Sequence, residues 1–171
     1  FFGNPRPHKG IEDLMAAVER LSRPDVTCVI VGANMADRYD VSLGQNNPQV
    51  RLLPMQPFGR APEFMAAADV VVVPQRQTPF SEAQMPAKIY DAMAMARPVV
   101  ATRISDIPQT LAGCGLVVPP GDVVAMSAAI GRLLDDPDEA RRLGMAARAK
   151  CEQFYSLDAM QVTLEALVEK T

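Results

Sequence analysis

The sequence has 171 residues, of which 49% are hydrophobic, so it can bury the core of one ordinary domain. Its formal net charge of −3, without a cluster of lysine and arginine, argues against nucleic acid as a partner. Three scattered cysteines and one histidine form neither a disulfide framework nor a metal-binding pattern, which fits a cytoplasmic protein with reduced thiols. No apolar run has the length that spans a membrane.

The chain opens on an apolar, strand-like segment, "FFG", with no methionine and no polar residue before it. We therefore expect it to be a fragment of a longer protein, cut near a domain boundary. Similar short apolar runs follow. The predicted strands are residues 1–3, 26–31, 50–53, 70–73, 98–101 and 115–118. Several are continuous runs of valine, which is typical of parallel strands buried on both faces.

Segments with a helical pattern separate these strands. Ile11, Leu14, Met15 and Val18 have the spacing i, i+3, i+4, i+7 and give the first helix one apolar face. Further helices are predicted at 62–68, 86–95 and 157–169, and after Asp122 and Asp136, whose carboxylates can cap the two helices that follow them. The pattern between residues 33 and 48 is too weak to predict an element.

Alternation of strand and helix predicts an α/β domain that covers residues 1–171. The expected architecture is a doubly wound parallel sheet of about six strands, Rossmann-like, with helices on both faces. Ligands of such sheets bind outside the carboxyl ends of the strands. The loops 4–9, 32–34 and 74–85 each follow a predicted strand at that edge.

The first of these loops carries two cations. Lys9 lies with Arg6 where the first strand turns into the first helix. Helix N–H groups, a lysine and an arginine can together bind a phosphate. The alternative is that both are solvated cations of a surface loop. The stretch "GNPRPHKG" matches neither GxGxxG nor the P-loop, which excludes those two phosphate-binding patterns.

An acidic residue interrupts the alanine- and methionine-rich helix at 86–95. The carboxylate of Asp91 could accept hydrogen bonds from two ribose hydroxyls. Alternatively, Asp91 is a surface acid paired with Lys88, three residues before it. The polar loop that precedes this helix carries a second acid, Glu82.

Motifs in these loops and strands recur in a fixed order along the whole chain. They are "HKG" after the first strand, then "VIVGAN", "AAADVVVVP", "PAKIYDAMA", "PVVAT" and "GLVVPPGD". Each is weak alone, but their order and spacing are specific. The chain resembles the C-terminal, donor-binding domain of a GT-B glycosyltransferase of the family 4 type, glycosyl transferases group 1.

The resemblance implies a sugar-nucleotide donor whose diphosphate is bound by a lysine and an arginine. Lys9 matches the family's lysine. Asn4 stands in the usual arginine position, and Arg6, two residues further on, would replace that arginine.

The resemblance also assigns roles to two acids that the family places eight positions apart. Asp91 matches the second acid, which binds the ribose hydroxyls. Ala83 occupies the position of the first, so the neighbouring Glu82 is the candidate for contacting the donor sugar. Ala96 and Gln109 stand where a glycine and a glutamate are usual, which leaves the identity of the donor open.

The expected partner is an N-terminal, acceptor-binding domain that precedes this chain, with the last helix, about 157–169, packing toward it. The catalytic residues are expected in that missing domain, so this chain should bind donor without turnover. The resemblance implies retention of configuration, no metal or other cofactor, and a role in glycan or lipid-linked biosynthesis. It is compatible with a cytoplasmic protein peripheral at the inner membrane face. Two alternatives stay open: half of a sugar-nucleotide 2-epimerase, and a non-catalytic sugar-nucleotide-binding or scaffold domain.

Overall fold

The computed structural model describes residues 1–34, 36–43 and 47–168. Strands and helices alternate through these ranges. In chain order they are α1 Ile11–Leu21, β1 Cys28–Ala33, α2 Arg38–Ser42, β2 Val50–Pro54, α3 Ala61–Ala66, β3 Val71–Val73, α4 Pro79–Glu82, α5 Lys88–Ala94, β4 Val99–Thr102, α6 Ile107–Leu111, β5 Leu116–Val118, α7 Val123–Asp135, α8 Pro137–Phe154 and α9 Leu157–Val168. Short 3-10 turns lie at Pro7–Lys9 and Phe58–Arg60.

All strand pairs in the described residues are parallel, which confirms the Rossmann-like α/β fold class. β1 pairs with β2, and β3, β4 and β5 pair in that order. The prediction of one sheet of about six strands is wrong for the described residues, which hold five strands in two sheets. The reason is that residues 1–3 run beside β1 but contribute one bridge, between Phe2 and Val31, and so join no ladder to β3.

An apolar cleft of about 650 Å³ separates the starts of β1 and β3. Phe1, Phe2, Val29 and Val71 are among the side chains that line it. The cleft lies at the amino ends of these strands, whereas the ligand-binding edge of a doubly wound sheet is at the carboxyl ends. It is therefore separate from the loops that carry the candidate site residues.

The valines of β3 and β4 divide between two hydrophobic clusters. Val72 and Val100 join the cluster formed with α1 and α7, whereas Val73 and Val99 join the one formed with α5 and α6. Successive side chains of a strand point to opposite faces, so both faces of this sheet are covered. Each buried valine contributes about 1.5 kcal/mol or more, which is why the strands read as continuous apolar runs.

The longer helices begin where the sequence predicts. The carboxylate of Asp122 accepts a hydrogen bond from the Ala125 N–H at 2.9 Å, and Asp136 accepts one from Glu139 at 2.8 Å. These contacts confirm both predicted caps. The structure adds α2, α4 and α6, which the sequence did not predict. Position 169, where the last predicted helix ends, lies outside the described residues.

The last helix, α9, exposes most of its apolar side chains. Leu157 is 82% exposed and Val168 is 74% exposed. The prediction that this helix packs toward another domain stays a prediction. Across the described ranges, no helix combines the length and the hydrophobicity that crossing a bilayer requires.

The turn after α5 explains why a glycine is usual at position 96. Ala96 has a φ of 53°, in the left-handed region. Its N–H donates to the Met93 carbonyl at 3.0 Å, and the Arg97 N–H donates to the Ala92 carbonyl at 3.0 Å, closing a Schellman-type helix end. A left-handed residue with a Cβ costs about 1–2 kcal/mol, which glycine avoids.

We therefore expect Ala96→Gly to stabilise the protein. The relief of left-handed strain exceeds the added freedom of the unfolded chain, which costs about 0.4–1 kcal/mol, so the free energy of unfolding should rise by about 0.5–1 kcal/mol. Ala128→Gly is the matched control, because Ala128 is exposed inside α7, where glycine should cost about 0.5–1 kcal/mol. Urea unfolding measures the free energy of unfolding of both variants. Equal losses for the two would show that the left-handed conformation of Ala96 carries no strain that glycine relieves.

Candidate functional site

Two loops meet at the carboxyl ends of the strands because residue 10 is a glycine. Gly10 ends the turn Pro7–Lys9 with a φ of 67°. A Cβ at this position would lie 1.9 Å from the carbonyl oxygen of Pro74, the residue that follows β3. The His8 carbonyl also accepts a hydrogen bond from the Arg76 N–H at 2.9 Å. The turn that carries Lys9 is thereby fixed against the end of β3.

Arg76, which the sequence did not single out, holds this contact through its side chain. Its Nε and Nη2 donate to the two carboxylate oxygens of Asp13, at 2.8 Å and 2.6 Å. Glu12 lies 3.4 Å from the same guanidinium and accepts a hydrogen bond from the Tyr39 hydroxyl at 2.7 Å. These acids raise the pKa of Arg76, and burial with the Glu12 hydrogen bond raises the pKa of Tyr39. The network ties the β3–α4 loop to the start of α1.

The two predicted cations lie on the same turn. Lys9 is partly buried, and its pKa is lowered first by burial and then by the charge of Arg6. Arg6 is exposed and lies 3.9 Å from the carboxylate of Asp37. With its amide oriented to satisfy both groups, Asn4 accepts a hydrogen bond from Arg6 at 3.0 Å. Arg6 therefore stands beside the position that the family gives to an arginine.

Asp91 and Lys88 are near each other without forming an ion pair. Burial raises the pKa of Asp91, and the nearby charge of Lys88 opposes that rise. Within the described ranges, no ion pair joins the two side chains, although Arg148 and Glu152 do pair along α8. The Lys88 ammonium instead lies 3.8 Å from the centre of the Phe1 ring. The alternative that Asp91 is a surface acid paired with Lys88 is not what the geometry shows.

Glu82 belongs to a different contact. One carboxylate oxygen accepts a hydrogen bond from the Ser105 N–H at 3.1 Å, and the other accepts one from the Gln77 side chain at 3.0 Å. Ser105 follows β4, so this exposed acid bridges the loops after β3 and β4. The charge of Lys9 interacts with Arg6 and with Lys88, and the charge of Lys88 also interacts with Asp91. Glu82 is instead hydrogen-bonded toward the β4 side.

His8 contacts an aromatic ring in this arrangement. Its ring packs edge-on against Phe80, with 5.0 Å between the ring centres. Burial lowers its pKa, and the charges of Lys9, Arg6 and Lys88 lower it further. In the described part of the chain, no three His, Cys, Asp or Glu side chains come together as a metal site.

Comparisons with known proteins agree with this geometry. Residues 1–136 match the family described as "Glycosyl transferases group 1". An MMP alpha-(1->4)-mannosyltransferase from Mycolicibacterium hassiacum is 31% identical over 182 residues, which cover 96% of this chain and 40% of that protein. The chain thus spans less than half the length of this curated relative. The match confirms the resemblance predicted from the motifs.

Solved structures share the fold. The C-terminal domain of a glycosyl transferase group 1 family protein from Francisella tularensis superimposes with a TM-score of 0.78 at 21% identity, covering 91% of this chain and 84% of that one. The Anabaena protein HepE in complex with UDP-glucose gives a TM-score of 0.81 at 21% identity, covering 99% of this chain and 48% of that one.

The Arg76 network should contribute to stability. We expect Arg76→Gln to lower the free energy of unfolding by about 1–3 kcal/mol, because Asp13, whose side chain is 14% exposed, loses both of its charged hydrogen bonds. Arg60→Gln is the matched control, because the side chains of Arg60 and Glu63 are both exposed. Loss of this ion pair should lower the free energy of unfolding by less than about 1 kcal/mol. Urea titrations measure the free energy of unfolding of both variants. A loss for Arg76→Gln no greater than that for Arg60→Gln would show that the Arg76 network does not stabilise the fold.

Proposed function

Because the chain belongs to the glycosyl transferases group 1 family, we propose that it is the donor-binding domain of a glycosyltransferase. The enzyme would move a sugar from a nucleoside-diphosphate sugar to an acceptor. One observation supports the proposal most directly: the turn that carries Lys9 lies against the end of β3, at the edge where a doubly wound sheet binds its ligands, and the charge of Lys88 interacts with both Lys9 and Asp91. The complex of HepE, a protein of the same fold, with UDP-glucose supports it.

The cations of the opening turn suit the diphosphate. Lys9 and Arg6 would donate charged hydrogen bonds to its oxygens, joined by N–H groups at the start of α1, whose helix dipole also favours an anion. The leaving nucleoside diphosphate gains negative charge in the transition state, and positioned cations stabilise that charge. We propose that these residues take the part a metal ion plays elsewhere, so that transfer needs no cofactor.

The acids suit the rest of the donor. The carboxylate of Asp91 can accept hydrogen bonds from both hydroxyls of a ribose. Burial disfavours the charged carboxylate of Asp91 when no ligand is bound. Two hydroxyl donors from a bound ribose would give this carboxylate the hydrogen bonds that burial takes away. Glu82 keeps acceptor capacity beyond its bonds to Ser105 and Gln77, and we propose it as the contact of the donor sugar.

The rest of the reaction belongs to the whole protein. We propose an acceptor-binding domain before this chain, against which α9 packs, transfer with retention of configuration, and an acceptor in glycan or lipid-linked biosynthesis. A cytoplasmic location at the inner membrane face stays a prediction. Half of a 2-epimerase and a non-catalytic scaffold remain the alternatives, and the whole protein incubated with donor alone separates the epimerase, which would convert it.

A screen of sugar nucleotides tests the proposal on this chain. We expect one of the UDP-, GDP- and ADP-sugars to raise the melting temperature, with and without EDTA, because a ligand at a hundred times its dissociation constant stabilises by about 2.7 kcal/mol. The chain alone should release no sugar from the bound donor. A scaffold that has lost donor binding would show no shift with any of them.

A substitution at Asp91 tests the ribose contact. We expect Asp91→Asn to weaken donor binding about tenfold or more, because the amide keeps the shape but loses the charge and one acceptor. The wild type should prefer UDP or GDP over the 2′-deoxy forms, and the variant should lose most of that preference. Calorimetric titration of both proteins measures this. A variant that keeps the full ribose preference would remove Asp91 from the site.

A further inference from the structure

The side chain of Lys88, the first residue of α5, ends in surroundings where the described residues offer its ammonium no acidic partner. The side chain is partly buried. Among the described residues, its ammonium has neither a salt-bridge partner nor a hydrogen-bond acceptor, and Asp91 acts on it only at a distance. Lysine at such a depth normally has a paired acid or extends its end into water.

The surroundings of this ammonium come mostly from the opening segment. It lies 3.8 Å from the centre of the Phe1 ring and 3.2 Å from the position that a Cβ on Gly3 would occupy. The charged and titratable groups near it are Lys9 and His8 from that segment, and Asp91 from α5. Two of these three groups carry or can carry positive charge.

Two effects lower the pKa of Lys88 to about 7, burial first and the charge of Lys9 second, while Asp91 opposes them. The face of the Phe1 ring offers a partial compensation. The remaining electrostatic cost is the kind that an anion between Lys9 and Lys88 would relieve. The repulsion between the two cations disfavours the charged form of each. A doubly charged ligand between them would remove that repulsion.

We infer that Lys88 is a further anion-binding residue that contacts the donor diphosphate together with Lys9. The inference rests on the proposed function. Lys88 would supply a cation in addition to Lys9 and Arg6, on the side where this chain has Asn4 in place of the family's arginine. Lys88 belongs to the motif "PAKIYDAMA", but that motif assigns it no ligand, and the sequence raised only the question of a pair with Asp91.

A proton-linkage argument gives the inference a signature of its own. A bound diphosphate raises the pKa of Lys88, so binding above pH 7 must take up a proton, and affinity must fall as pH rises from about 7. The diphosphate of a sugar nucleotide is esterified at both ends and does not titrate in this range, so the effect reports on the protein.

The same residue should destabilise the empty site. Between pH 7 and about 10.4 the unfolded chain holds the Lys88 proton more tightly than the folded chain, so the charged ammonium opposes folding below pH 7. Methionine keeps the apolar stem without the charge. Lys88→Met without ligand should therefore melt at a higher temperature than the wild type at pH 6.5.

The experiment titrates UDP-glucose, GDP-mannose and ADP-glucose into wild type, Lys88→Met and Arg20→Met by calorimetry. Arg20→Met removes one exposed positive charge about 15 Å along α1 from the site and should match the wild type. At pH 6.5, Lys88→Met should bind the donor about ten- to a hundredfold more weakly. At pH 8, in buffers of different ionisation enthalpy, the wild type should take up a proton and the variant much less.

The outcomes separate the inference from the proposed function. A donor that binds wild type and Lys88→Met equally at pH 6.5 overturns the inference and leaves the function standing. A wild type that binds none of the three donors overturns the function and, with it, the role of Lys88. Affinity lost together with melting temperature, with proton uptake unchanged, would make Lys88 a packing residue and also overturn the inference.

Discussion

The absence of one side chain, at Gly10, sets the geometry on which the candidate site depends. Any Cβ there would collide with the carbonyl oxygen of Pro74, 1.9 Å away, and would also be strained by the positive φ. Because glycine permits this approach, the turn that carries Lys9 rests against the end of β3. Asp13, three residues later, can then reach Arg76. The direction of α1 and the position of the cations both follow from that contact.

Two acids near the opening turn are paired with other side chains, which leaves the cations of that turn less neutralised than the acidic composition suggests. Asp13 and Glu12 lie close to the opening turn, but Arg76 and Tyr39 occupy their oxygens. Lys9 is thus left with a cation, Arg6, as its strongest electrostatic neighbour. The net charge of −3 describes the surface as a whole and says little about this edge, where burial and short distances strengthen each interaction.

Departures from the family pattern have different physical weights. Ala96 keeps the left-handed helix end that glycine normally provides, at a cost in backbone strain but without a change of shape. Asn4 lacks the positive charge of the family's arginine, and no backbone conformation can replace a charge. Arg6 and Lys88 are cations close to this position, beside Asn4 and Gly3 respectively. Glu82, one residue from the family's position, is bound to Ser105 and lies apart from the cations.

Local patterns in the sequence determined much of this protein: valine runs gave the strands, period and capping acids gave α1, α7 and α8, and the order of motifs gave the family. Five-residue helices such as α2 and α6 hold too few turns for a period to show. Residues 1–3 have the composition of a strand, but whether they form one depends on backbone pairing with neighbouring strands, and they make a single bridge to β1. Only the tertiary structure decided that Lys88 turns toward Phe1 rather than Asp91, and that Arg76 reaches Asp13, because burial and charge depend on segments more than sixty residues apart in the chain.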